Sequence, residues 1–265
     1  MRIGRARLVV AALALAAGCR AARAPYVPRD AALRALPLYF YPSADTTRPA
    51  RALVFFFGND IGFWEAHQRL AERLAGDGFD VVGFDVKRFL ATLPEPPARR
   101  DSAFGAAIVP IIEGARRELH AEALPLVIGG HSIGAEIAIW TAAYARPPGT
   151  VGILAMGPGL RSHLHISAED MLSKREPSEP GSFAVADALR DVPADARVAL
   201  VRGQHDEYAY ADSALAAAGG ARLRRYVVPL AGHSLKRLSI AGPVIGRALD
   251  WLVERNTENA EEGQR

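Results

Sequence analysis

Ser132 stands in Gly130-His131-Ser132-Ile133-Gly134, with a glycine two residues away on either side. A serine hydroxyl is a weak nucleophile by itself. It attacks a carbonyl carbon when a base takes its proton and a carboxylate orients that base. The pentapeptide alone is a weak signal, since ordinary Gly and Ser frequencies produce it by chance in on the order of one in ten chains of this length. Its context is more specific. An apolar run at 124–128 precedes it and a helical pattern follows, so Ser132 falls on a strand-to-helix turn. Such a turn is cramped, which is why small neighbours are needed, and it lifts the serine oxygen above the sheet beside a helix N-terminus. The alternative is an idle turn between strand and helix.

Seven histidines are available as the base. His233 lies in Ala231-Gly232-His233-Ser234, directly after an apolar strand pattern and before the last helix, and is the candidate. His67, His120 and His131 fall inside helix or turn patterns and read as structural. His163 and His165 form an H-x-H, but two ligands without a further Cys/His cluster are poor support for a metal, and neither metal nor cofactor is expected. The orienting acid is Asp206, in Gly203-Gln204-His205-Asp206-Glu207 beyond another strand; Glu207 is the alternative acid, and a merely solvated acidic loop is the bland one. The order Ser132, Asp206, His233 is the serine-acid-histidine order of hydrolases built on α/β sheets. A developing oxyanion needs two backbone N–H donors. Ile133, next after the serine, supplies one, and Asn59, in the loop Gly58-Asn59-Asp60-Ile61-Gly62, is expected to supply the other. Asp60 is either a turn residue or a contact for a cationic substrate group.

These residues need a frame. Apolar or alternating runs at 36–41, 52–57, 79–84, 124–128, 151–156, 197–201 and 222–228 read as strands. Helical patterns at 63–74, 101–122 (bent at Pro110), 133–145, 211–218 and 235–255 alternate with them, and 85–100 reads as irregular. The alternation predicts a mostly parallel sheet with helices on both faces, an α/β-hydrolase fold, whose ligands sit at the C-terminal ends of the strands. All three candidate triad residues fall at such ends. The long segment 159–191, interrupted by Pro177, Pro180 and Gly181, is a candidate lid.

The chain has 265 residues, half of them hydrophobic, enough for one sizeable core. Its formal charge of +3 comes from 32 Lys+Arg against 29 Asp+Glu; without Arg2, Arg5 and Arg7 the balance is zero. A neutral domain gives no reason to expect nucleic acid. Those arginines precede an apolar stretch, and small residues lead into Cys19, the sole cysteine. The pattern predicts a lipoprotein-like signal peptide over 1–18, lipidation of Cys19, a tether over 19–35, the hydrolase domain over 36–255 and a frayed tail over 256–265. The anchor would hold the protein at the periplasmic side of the cell envelope. Arg20, which is not an aspartate, resembles outer-membrane sorting. The alternative is a secreted protein cut near Ala22 with an incidental thiol.

From Leu53 to Trp251 the chain resembles the α/β-hydrolases of the bacterial virulence protein (VirJ/AcvB) type. The resemblance rests on G-N-D-I-G-F-W at 58–64, V-V-G-F-D-V-K-R-F-L-A-T-L-P-E at 81–95, G-H-S-I-G-A-E at 130–136, L-H-I-S at 164–167, G-Q-H-D-E at 203–207 and L-A-G-H-S at 230–234. Trp64 matches the tryptophan of the group's first loop and, with Asp60, is a candidate substrate contact. The first loop is longer than the group's, His131 replaces an aromatic residue, and Ser234 stands where a second histidine is common. The resemblance implies a serine hydrolase acting on an aminoacylated phospholipid ester at a membrane surface. Two other readings use the same fold: acyl transfer to an acceptor other than water, and a non-catalytic binding or envelope-assembly protein.

Overall fold

The computed structural model describes residues 25–167, 170, 175–234 and 242–254. The predicted signal peptide, Cys19, residues 235–241 of the predicted last helix and the predicted tail lie outside the described residues.

The main sheet runs β1 (Leu38–Tyr41), β3 (Asp80–Phe84), β2 (Leu53–Phe57), β4 (Leu126–His131), β5 (Thr150–Met156), β8 (Arg197–Gly203) and β9 (Leu223–Val228) from edge to edge. Every neighbouring pair is parallel except β1 with β3. The sequence of β2, Leu-Val-Phe-Phe-Phe, explains its central place. Side chains alternate across a strand, so an uninterrupted apolar run suits a strand covered on both faces. Leu53, Phe55 and Phe57 enter a core with Phe84, Phe104, Ile108 and Ile137; Val54 and Phe56 enter another with Leu70, Leu74, Leu154 and Leu249. The first core is covered by α4 (Pro97–Glu118) and α5 (Ile133–Trp140), the second by α2 (Glu65–Gly76) and the helix Gly242–Val253. This is the α/β-hydrolase architecture expected from the sequence.

Three local expectations are corrected. Residues 85–100 are not irregular throughout: Asp85 caps α3 (Val86–Leu90) by accepting from the Arg88 amide, and α4 already begins at Pro97. Proline suits that first turn because its missing N–H has no helical acceptor there. The helix expected to run to residue 122 ends at Glu118, with Pro110 inside it. Residues 26–35 are not a free tether. Leu33 of α1 (Ala31–Arg34) is buried, Tyr26 packs on Phe40, and Glu118 accepts from the Tyr26 hydroxyl (2.8 Å) and the Arg29 amide (2.7 Å).

Segment 159–191 divides in two. A two-stranded antiparallel pair, β6 (Arg161–Ser162) with β7 (Phe183–Ala184), closes the base of a strap. The remainder, helix Val185–Asp191, is part of the core through Val185, Ala188 and Leu189. Among the described residues no helix is long and apolar enough to cross a membrane.

Candidate active site

At the end of β4 the chain reverses into α5 through Ser132, whose φ of 56° and ψ of −129° lie outside the ordinary regions for an L-residue. Such a backbone costs about 1–3 kcal/mol and persists only where the surroundings dictate it. The glycines make it possible. A Cβ on Gly130 would fall 2.2 Å from the Gly134 carbonyl oxygen, and one on Gly134 would fall 2.1 Å from that of Gly58. The Ser132 amide donates to the Met156 carbonyl at 2.8 Å, tying the turn to β5.

Two other strand ends complete the arrangement. His233 follows β9, and its Nε2 lies 3.0 Å from Ser132 Oγ. Its Nδ1 lies 3.1 and 3.2 Å from the two oxygens of Asp206, which follows β8. A carboxylate only accepts, so Nδ1 carries the proton and Nε2 is left to accept from the serine hydroxyl. The Asp206 side chain has 0% exposure and that of His233 22%. Burial alone would raise the Asp206 pKa. Its hydrogen bond with His233, the Tyr208 amide and the charge of Arg202 reverse this and hold it below the ordinary value, so it stays ionised. Glu207 lines the cleft, but the acid hydrogen-bonded to His233 is Asp206.

Arg202 interrupts the apolar run Val-Ala-Leu-Val that follows Arg197 in β8. Its side chain, 2% exposed, reaches Asp206 at 3.3 Å, Asp212 at 2.7 Å and the Pro158 carbonyl at 2.8 Å. A guanidinium is tolerated there because each edge of its fork meets an acceptor. Arg202 is not among the residues expected from the sequence, although an arginine in a buried strand with an aspartate four residues on is a readable signal.

The Ile133 amide stands in the first turn of α5, where an N–H has no acceptor within the helix. The Asp60 amide bonds to its own carboxylate. Asn59 differs from expectation: its amide donates to the Gly62 carbonyl in a long 3.3 Å bond, and its side chain accepts from the Ile61 amide at 3.1 Å. The turn 59–62 closes on itself, and that closure engages the Asn59 amide. Asp60 and Trp64 both line the cleft, and burial raises the Asp60 pKa.

The cleft has a volume of about 430 Å³. Ser132 and His233 face it, and much of the rest of its wall is charged: Asp60, Glu136, Arg161, Arg175, Glu176 and Glu207. Glu136 was also missed, although it is the lone ionisable residue of Ile-Gly-Ala-Glu-Ile-Ala-Ile-Trp. Burial pushes its pKa up to about 7, and its Oε1 accepts the Gly159 amide at 2.7 Å. From the strap, Glu176 accepts the next two amides, Leu160 at 3.0 Å and Arg161 at 2.8 Å. Among the described residues of the segment expected to lie at the mouth, Gly159, Arg161, Ser162, His163, Asp170 and 175–177 line the cleft.

His163 and His165 pack edge to face, and among the described residues no group of three or more His, Cys, Asp or Glu side chains could hold a metal ion. His163 instead bonds Asp170 at 3.0 Å and also Glu179.

No family model matches the chain, and no curated protein matches it by sequence. Solved structures share its fold. A Klebsiella pneumoniae protein proposed to be a dienelactone hydrolase superposes with a TM-score of 0.58 at 18% identity, over 82% of this chain and 92% of its own. Est1E from Butyrivibrio proteoclasticus gives 0.56 at 14% identity, over 80% and 93%. Esterase 2 of Thermogutta terrifontis, phosphoramylated by tabun, gives 0.54 at 19%, over 82% and 88%.

Proposed function

We propose that the protein is a serine hydrolase that cleaves a carboxylic ester. The observation that carries this reading is the hydrogen-bonded chain Ser132, His233, Asp206, assembled from three strand ends at the floor of an open cleft. Esterases among proteins of the same fold support it. Ser132 Oγ attacks the ester carbonyl carbon while His233 Nε2 takes the hydroxyl proton. Asp206 keeps Nδ1 protonated and stabilises the imidazolium. The tetrahedral oxyanion is received by the Ile133 amide and the Asn59 amide, which the turn 59–62 shares with the Gly62 carbonyl. The C–O bond then breaks, and the alcohol leaves with the proton from His233. Water, deprotonated by the same imidazole, frees the acyl group and restores Ser132.

The substrate in this proposal is an ester bearing an ammonium group, in line with the aminoacyl phospholipid esters implied by the sequence resemblance. The charged wall, in which Asp60, Glu136, Glu176 and Glu207 outnumber Arg161 and Arg175, suits a polar substrate with a cationic group better than a long acyl chain. Processing before Cys19 and acylation of it would bring this cleft to a membrane surface. Mass spectrometry of the N-terminal peptide tests the anchor, and an unmodified Cys19 removes it from the account.

Hydrolysis of matched acetyl, aminoacyl and long-chain esters by wild type and Ser132→Ala tests the activity. The expected result is turnover that favours the aminoacyl ester and disappears with Ser132. No turnover of any ester supports the non-catalytic binding role instead, and turnover indifferent to Ser132 contradicts Ser132 as the nucleophile.

A further inference from the structure

The reading of Ser132, His233 and Asp206 leaves three buried histidines unused, His163 in the strap and two behind the base. His131 and His67 are each at most 2% exposed. A residue expected to be merely structural at His131 instead touches the base: its Nε2 lies 2.8 Å from the main-chain carbonyl oxygen of His233. The rings of His131 and His233 lie 5.0 Å apart, and that of His67 lies 5.9 Å from His131. Phe63 stacks on the far side of His67, and Tyr208 lies 4.7 Å from His233. A row of rings therefore runs from the core to the base.

Hydrogen-bond chemistry fixes the tautomers along this row. A carbonyl only accepts, so His131 Nε2 carries a proton and donates it to His233. The Trp64 amide donates to His67 Nδ1 at 3.3 Å, so in neutral His67 the proton is on Nε2. The two remaining nitrogens, His131 Nδ1 and His67 Nε2, are buried with no partner among the described residues. One is an acceptor and the other a donor, so a single water between them would satisfy both.

We infer that His131 is a positioning residue for the catalytic base, and that His67 backs it: both are neutral Nε2–H tautomers, and His131 holds the His233 backbone so that its imidazole meets Ser132 and Asp206. The inference rests on the serine hydrolase reading. Two features show why a histidine serves at this position. It must be a flat donor, to lie against the base ring and still reach its carbonyl. It must also remain uncharged, because a cation in that ring would oppose the imidazolium that forms on His233. Burial, reinforced by the His233 charge, pushes the His131 pKa down to about 3, and burial pushes His67 down to about 2. Asp206 and Arg202, the other charges acting on His131, oppose one another.

His131→Phe keeps the ring and removes the donor; His131→Gln keeps a donor without the ring. The expected loss in kcat for the Phe variant is about tenfold, the scale of one buried hydrogen bond to a positioned group, with KM little changed and an equal slowing of fluorophosphonate labelling at Ser132. The Gln variant should recover most of that loss. Labelling at the wild-type rate in the folded Phe variant overturns the inference, as does a Gln variant no faster than Phe. Nitrogen-15 NMR of the wild-type imidazoles provides a second measurement that needs no variant. His131 and His67 should remain Nε2–H and neutral from pH 5 to 8, and an Nδ1–H tautomer or a titrating His131 contradicts the assignment. Absence of any labelling in wild type contradicts the hydrolase reading itself, while the NMR result stands apart from it.

Discussion

The two walls of the cleft are held by different physics. The wall made by the ends of β4, β8 and β9 is fixed by buried groups: strained Ser132, the Asp206–Arg202–Asp212 network and the His131 bond to His233. The strap opposite has a pair of two-residue strands, and its contacts include Glu176 on two amides, Arg161 on the Pro177 carbonyl and Ser182, and His163 between Asp170 and Glu179. Buried ion networks lose heavily when one member is removed, whereas a pair with a half-exposed member, as His163 has in Glu179, loses less and responds to pH. The first arrangement suits groups that must not move between turnovers. The second suits a surface that admits different substrates.

The largest expected effect lies in the first wall. Asp206→Asn should preserve the fold and lower turnover by about 10⁴, because the imidazole loses tautomer control. Glu207→Gln should do far less, and a reversal of the two effects would move the acid to Glu207. Stability should separate the walls next. Arg202→Met strands two buried carboxylates and should cost about 3–5 kcal/mol in denaturant unfolding. Glu179→Gln, at a side chain 49% exposed, should cost no more than about 1 kcal/mol. Equal losses would erase the distinction.

Titration sharpens it further. Burial would lower the His163 pKa, but Asp170 and Glu179 raise it above the ordinary value. Burial would raise that of Asp170, yet the bond from His163 and the Ser167 amide bring it down to about 2. A raised histidine contributes its full stabilisation below about pH 6.5 and loses it as pH climbs through the folded value; a depressed aspartate contributes above about pH 4 and loses it towards pH 2. Amide exchange over residues 159–167 should therefore be slowest between about pH 4 and 6.5, after correction for intrinsic rates, while the triad wall shows no matching window. Protection in the strap that stays flat through neutrality would remove His163 as its clamp.

The smallest effect concerns Glu136. Its pKa of about 7 means that folding disfavours its charge, a cost absent below the ordinary glutamate range, growing as pH rises towards 7 and fully present above it. Glu136→Gln keeps an acceptor for the Gly159 amide and removes the charge. The variant should gain Tm at pH 8 relative to pH 5, and a gain independent of pH would contradict buried ionisation.

Much of the first wall was legible in the sequence because it is written in local signals. Apolar runs gave the strands, Gly130 and Gly134 marked the turn, and chain order placed Asp206 and His233 beyond later strands. What escaped depends on approach in space. Arg202 and Glu136 are single charges inside apolar patterns, and their partners come from other elements. His131 looked structural because nothing local says that its ring meets the His233 carbonyl 102 residues on. The Asn59 amide looked free because the closure of its turn on Gly62 is a matter of backbone angles. Residues 26–35 looked like a tether because proline and arginine mask the one leucine, Leu33, that docks.

The most direct test of the central claim is to treat wild-type protein with a fluorophosphonate and map the adduct by mass spectrometry. The account predicts a bond from Ser132 Oγ to phosphorus with loss of fluoride, the hydroxyl proton passing to His233, and sharply slower labelling in His233→Ala. An unlabelled Ser132 in folded wild-type protein, or labelling just as fast without His233, would contradict it.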